Sequence, residues 1–158
     1  MKRRSDHGMR TAGAVAGILG VFIAFALAPY LGARMRAAYP TDRDLFWPLL
    51  LYVWAAAAPG FGALYNYFRV CEEIRRDNSF SRENVKSLRA IFRLLLAMSA
   101  MLLAGAVALV ALRQRHPTVT LLLLMGAAAS ALVAVLANAL SQLIKRAAEL
   151  KDENDLTI

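Results

Sequence analysis

The sequence predicts an all-α integral membrane protein, a single membrane domain over residues 1–158 in which four antiparallel transmembrane helices form a bundle. Hydrophobic residues make up 59% of the chain and its mean hydropathy is +0.47, whereas soluble domains are about 45–50% apolar. The charged residues, 19% of the chain, lie in short blocks between long apolar runs. A soluble four-helix bundle would need a polar stripe on every helix, and these runs are apolar on all sides.

The first apolar run covers about residues 11–32, enough helix to cross a hydrocarbon core of about 30 Å. It follows the basic start MKRRSDHGMR, so a cleaved signal peptide is the alternative. The run is longer than a typical signal-peptide core. Its best cleavage motif, Ala26-Leu27-Ala28, is followed by Pro29, which is a poor residue after the cut. We expect an uncleaved signal anchor.

The second run covers about residues 45–71 and starts with aromatic residues that suit the membrane interface, among them Trp47 and Tyr52. Pro59 and Gly60 lie at its centre. Proline removes one helical hydrogen bond and clashes with the preceding turn, so we expect a kink there, as a packing feature or as a gate.

The third and fourth runs cover about residues 91–112 and 118–144. Only a short polar loop separates them, which favours an antiparallel hairpin. Fourteen of the nineteen lysines and arginines lie in the N-terminal segment, in the middle loop with its flanks, or in the C-terminal tail. The positive-inside rule therefore places both termini, the loop 72–90 and the tail 145–158 in the cytoplasm.

The spans contain no ionisable residue at depth, which argues against a proton-driven transporter. They do contain small residues at helical spacing, which favour close helix packing. We expect packing roles for Gly13, Gly17, Gly126, Ser130 and Asn138, and Asn66 and Asn138 are candidates for hydrogen bonds across an interface. Packing within the chain is the first interpretation, and a homodimer through Gly13 and Gly17 is the second.

No catalytic, cofactor or metal site is predicted. The two histidines, His7 and His116, fall on opposite sides of the membrane, and Cys71 is the single cysteine. The carboxylates lie at helix ends among lysines and arginines, where a solvated charged surface explains them. The net charge of +8 follows from the positive-inside rule, so we expect no direct contact with nucleic acid.

The middle loop carries the most informative pattern. Asp77-Asn78-Ser79 predicts a turn, Ser81 is a good N-cap, and Phe80 is placed to pack on Val85. A basic stripe follows at helical spacing, formed by Arg82, Lys86, Arg89 and Arg93. This amphipathic lead-in either anchors on anionic headgroups or docks a protein. The acidic tail, with Glu149, Asp152, Glu153 and Asp155, is able to pair with it.

The segments DNSFSRENVKSLRAI and AAELKDENDLTI resemble the bacterial membrane protein family called domain of unknown function 2975. The resemblance implies a small four-span protein of the bacterial cytoplasmic (inner) membrane. The family-like positions are Asn78, Phe80, Ser81, Glu83, Asn84, Leu88, Arg89, Glu149, Leu150, Glu153, Asn154, Asp155, Leu156 and Thr157. Some members are encoded beside a helix-turn-helix regulator, which implies a regulator protein as a partner.

The sequence therefore leads to two hypotheses. The first is a non-enzymatic membrane protein whose loop and tail form a cytoplasmic docking face, for a regulator such as a helix-turn-helix transcription factor. The predicted docking residues are Asn78, Phe80, Ser81, Glu83, Asn84, Arg89, Glu149, Glu153, Asn154 and Asp155. The second is a transporter or channel subunit for a neutral or lipophilic molecule, which the predicted kink and the asparagines favour.

Overall fold

The computed structural model describes residues 2–38, 46–75, 82–112 and 117–155, and these ranges are helical almost throughout and contain no strand. The elements are α1 (Lys2–Phe22), a π-helical turn (Ile23–Leu27), α2 (Ala28–Ala38), α3 (Phe46–Arg75), α4 (Arg82–Ala111) and α5 (Pro117–Asp155).

Four segments of the described chain are long and apolar enough to cross a membrane: Gly13–Arg34, Trp47–Arg75, Arg82–Ala111 and Pro117–Leu150. The predicted fold of four membrane-spanning helices is confirmed, while the orientation of the termini stays a prediction. Two helices are longer than the predicted spans. α4 begins at Arg82 rather than near residue 91, and α5 continues past residue 144 to Asp155.

The helices pack in chain order. α4 makes its most extensive contacts with α5 and also packs on α3. The first span (α1, the π-helical turn and α2) contacts only α3 among the described helices. The bundle is therefore open, and most of the first span is left for lipid to cover, with Val15, Ile18 and Phe22 all more than half exposed.

The α5 side of the α4–α5 contact is a row of mostly small buried residues, which we call the seam: Leu123, Ala127, Ser130, Ala134, Ala137 and Ser141. Its spacings of four and three residues match the heptad pattern of left-handed helix packing. The sequence suggested a row with a period of four. Such a row turns about 40° around the helix at each step, so Ser130 and Ala134 lie in the seam while Gly126 and Asn138 fall half-buried beside it.

The first span is interrupted by the π-helical turn, which the sequence did not predict. The amide of Ala28 donates to the carbonyl of Ile23 across this turn. Pro29 follows directly and has no amide hydrogen, and in an α-helix its ring would press on the carbonyl of residue 25. A wider turn just before the proline relieves that clash.

Several polar side chains of the described spans bond either to a neighbouring helix or to their own. Ser99 Oγ donates to the carbonyl of Ala127 at 2.9 Å, and the Tyr52 hydroxyl donates to the carbonyl of Met101. Asn66 Nδ2 instead donates to Gly62 of its own helix at 2.9 Å, so this amide bridges no interface. Such bonds keep hydroxyl and amide groups satisfied where lipid offers no partner.

We expect Ala134→Leu to destabilise the protein by about 1–3 kcal/mol, because a larger side chain in a filled seam forces the helices apart. Ala134 has no exposed surface. The matched control is Val135→Leu, at a neighbouring position that is 60% exposed. Thermal unfolding of the two purified variants, followed by fluorescence-detected size exclusion, makes the comparison. Equal stability of the two variants would contradict the packing described for the seam.

Candidate functional site

The end of the bundle at which α3 ends, α4 begins and α5 ends, called here the basic end, is held together by buried contacts. Val70 of α3, Leu88 and Ile91 of α4 and Ala137 of α5 belong to one apolar cluster. Ser141 Oγ on α5 also donates to the carbonyl of Val85 at 3.4 Å. The basic end is therefore a packed unit of three helices.

The amphipathic start of α4 uses its apolar side inside the protein. Val85, Leu88 and Ile91 are 7%, 5% and 7% exposed, and α4 runs without a break from Arg82 through the third span. An interfacial amphipathic helix lies in the plane of the membrane with its apolar face in lipid. Here that face is covered by the neighbouring helices, and the basic stripe remains outside.

Contacts between α4 and α5 set their relative heights. Ser99 bonds to Ala127 and Val85 bonds to Ser141, so Arg93 is level with about Val133. Arg93 is the charged residue of α4 nearest the middle of the span, and the helix from there to Ala111 rises about 27 Å, close to one hydrocarbon thickness. With the boundary of the hydrocarbon region placed at Arg93, the segments before Arg93 and after Val133 extend about 16 Å for α4 and about 33 Å for α5 beyond it.

The exposed surface of this extension is rich in cations. Lys86, Arg89 and Arg93 are exposed and make no ion pair with any described residue. Glu149 on α5 pairs with Lys145 of its own helix at 3.5 Å, and Glu72 on α3 accepts from Arg75 Nε at 3.1 Å. These two acidic side chains are each paired within their own helix.

The predicted docking residues fall into three groups. Glu83, Arg89 and Glu149 are exposed at the basic end. Glu153, Asn154 and Asp155 belong to the last turns of α5, and only their backbone is described. Asn78, Phe80 and Ser81 lie outside the described residues.

The sequence placed Asn84 on the exposed docking surface, and the structure shows that this placement is wrong. Its side chain is completely buried, beside the buried residues Val85, Ser87 and Leu88. Position 84 falls on the inward side of α4, whereas positions 82, 86 and 89 fall on the outward side. Asn84 therefore helps to pack the basic end and is left out of the docking surface.

The residues predicted to pack helices lie at helix contacts. A Cβ added to Gly13 would come within 2.5 Å of the Tyr67 ring, and one added to Gly17 within 2.9 Å of Leu64, so both glycines face α3. The Gly13 and Gly17 face is thus covered within the chain. Gly60 faces Met98 of α4, and α3 stays α-helical through Pro59, so the kink stays a prediction.

Among the described residues we looked for sites that could bind a metal ion or a small molecule. These residues contain no cluster of three or more histidine, cysteine or carboxylate groups arranged to hold a metal. An apolar groove of about 370 Å³ lies between α1 and α3, lined by Gly17, Val21, Phe61 and Leu64 among others, and it is open on one side. Cys71 is buried at the end of α3.

Comparison with known proteins gives two matches. The model of the family described as protein of unknown function (DUF2975) matches residues 30–158. A protein described as uncharacterized membrane protein YoaS, from Bacillus subtilis (strain 168), is 28% identical over 160 residues, which cover 100% of each chain. No solved structure matches.

We expect Asn84→Asp to destabilise the protein strongly, by roughly 2 kcal/mol or more, because the substitution keeps the shape but buries a charge. Glu83→Gln, at the adjacent exposed position, is the control and should leave the thermal midpoint nearly unchanged. Both variants are compared by thermal unfolding in the same detergent. Equal midpoints for Asn84→Asp and the wild type would mean that residue 84 is open to water in solution.

Proposed function

We propose that this chain, which belongs to the family described as protein of unknown function (DUF2975), docks a soluble cytoplasmic protein at the basic end of its helix bundle. It is a membrane protein, with four helices suited to spanning and a relative described as a membrane protein. We place it in the bacterial cytoplasmic (inner) membrane with both termini inside, and we expect no enzymatic activity of its own.

The observation that carries this proposal is the burial of the apolar side of α4 at Val85, Leu88 and Ile91. A helix whose apolar side is already covered cannot insert that side into lipid, so the basic stripe does not belong to an interfacial amphipathic helix. With the hydrocarbon boundary placed at Arg93, the backbone of Lys86 and Arg82 lies about 10 Å and about 16 Å beyond it, farther than the headgroup layer of about 5–7 Å. A stripe of cations held on a rigid extension in water is suited to an acidic protein surface.

The candidate partner is a helix-turn-helix regulator, as the family resemblance implies. Such a regulator carries its own cations on the side that binds DNA. Because the stripe on α4 is also positive, we expect the regulator to dock through a different, acidic side. Docking would then hold the regulator at the membrane without covering its DNA-binding helix.

Transport of a lipophilic molecule is the second candidate function. The observation that favours it is the apolar groove between α1 and α3, which suits an acyl chain or another apolar molecule. The groove ranks second because lipid itself fills such a surface in a membrane.

The orientation gives the first test. We expect a green fluorescent protein fused after Ile158 to fluoresce, and alkaline phosphatase inserted between residues 113 and 116 to be active, because the lysines and arginines are concentrated on the other side. Phosphatase inserted at residue 78 is the control and should be inactive. The opposite pattern of activities would put the basic end outside the cytoplasm and end the docking proposal.

The docking surface gives the second test. A photo-crosslinking amino acid at position 86 or 89 in the full-length protein should capture one discrete soluble protein in cells. The same amino acid at positions 103 and 107, which are exposed on the same helix but within the span, should not capture it. With the crosslinker at 86, Arg89→Glu should lower the yield severalfold, because charge pairs at the edge of an interface speed association. Crosslinks confined to the chain itself would contradict docking.

A further inference from the structure

The extension of α5 carries a row of exposed leucines that the fold does not use. Leu136, Leu140, Leu143 and Leu150 are 61%, 48%, 63% and 67% exposed. Their spacings of four, three and seven residues place them on one side of the helix, roughly 110° around it from the seam. We call these four residues the leucine row. It is a second heptad pattern on the same helix.

Height separates this row from ordinary lipid-facing leucines. Leu143 and Leu150 lie about 15 Å and about 25 Å past Val133, the level of the hydrocarbon boundary. The headgroup region adds only about 5–7 Å on each side of the hydrocarbon core. The outer half of the row therefore projects into water, where two large apolar side chains on one helix face favour association with a partner.

Charge decides which partner suits the row. Two copies in one membrane would bring their α5 helices together in parallel. In that arrangement heptad position 146 of one copy flanks the contact opposite position 151 of the other, and both positions are basic in the sequence, so the pairing of two copies brings like charges together on both sides. A helix with carboxylates at its margins meets the same two positions with opposite charges. The geometry thus favours a foreign helix over a second copy.

We propose that Leu143 and Leu150, together with Leu136 and Leu140 nearer to the membrane, form the binding site for an amphipathic helix of the soluble partner. That helix has an apolar stripe at heptad spacing and acidic margins. This inference rests on the proposed docking function and names the chemistry of the partner. The row from Leu136 to Leu150 is about 21 Å long, so the partner helix needs about 14 residues.

The test uses the full-length protein in nanodiscs of phosphatidylcholine and two labelled 21-residue peptides. Both peptides carry leucine at heptad spacing, one with glutamate margins and the other with lysine margins. We expect the glutamate peptide to bind at least about tenfold more tightly, measured by fluorescence anisotropy. Leu143→Ser with Leu150→Ser should weaken its binding at least about tenfold. Gln142→Ser, on the same turn but off the row, should not weaken it.

Three outcomes overturn the proposal. Equal binding of the two peptides, or binding that the paired serine variant leaves unchanged, removes the acidic helix as occupant. A dimer in the nanodisc that the paired serine variant dissociates shows that a second copy covers the row. A bimane label on Leu143→Cys in a Cys71→Ser background, quenched by brominated lipid as strongly as a label on Leu132→Cys, shows that lipid covers it.

A crosslinking experiment in cells separates this inference from the docking function beneath it. If positions 86 and 89 capture a partner and the paired serine variant abolishes that capture, both proposals are supported. If the capture persists in the paired serine variant, docking stands and the leucine row is not its site. If positions 86 and 89 capture nothing, the docking function fails, and the peptide experiment still decides whether the row binds an acidic helix.

Discussion

The packing of α5 on α4 through small side chains is the interaction on which the rest of the structure depends. In lipid there is no hydrophobic force between helices, so their association relies on close contact of the kind that Ala127, Ser130 and Ala134 allow. The same seam continues to Ser141, level with Val85, and with the hydrocarbon boundary placed at Arg93 this part of the contact lies in water, where the hydrophobic effect contributes as well. One continuous contact therefore joins the two helices along the span and at the basic end.

The first span has no such seam and makes fewer contacts with the rest of the described protein. Among the described helices it contacts α3 alone, with Gly13 and Gly17 against aromatic and leucine side chains. Its π-helical turn places Phe25 beside Trp54, with ring centroids 5.6 Å apart. Few of its described residues are buried by protein. The three helices that build the basic end are therefore the structural unit of the protein, and they lie entirely within the residues that the family model matches.

Much of the fold follows from the sequence because length and hydropathy alone define a membrane span, but the contacts between spans do not follow in the same way. The row of small residues on α5 was visible at a period of four, and the actual period of the seam, about 3.5 residues, depends on which helix lies opposite. Asn84 looked like a surface residue because it stands in a polar motif. Its burial depends on the angle at which α4 meets α3 and α5, which no local pattern contains.

An amphipathic segment beside a membrane is ambiguous in the sequence, because lipid and protein both accept its apolar side. The structure resolves the ambiguity at α4 by filling that side with α3 and α5. The register between the helices then adds a second consequence. Lys86 on α4 is level with about Leu140 on α5, and Arg89 is level with about Ala137, next to Leu136. The same level of the molecule therefore carries cations on one helix and exposed leucines on the other. Burying the cations in hydrocarbon costs free energy, and so does exposing the leucines to water. A protein surface that carries an apolar stripe beside carboxylates is complementary to both.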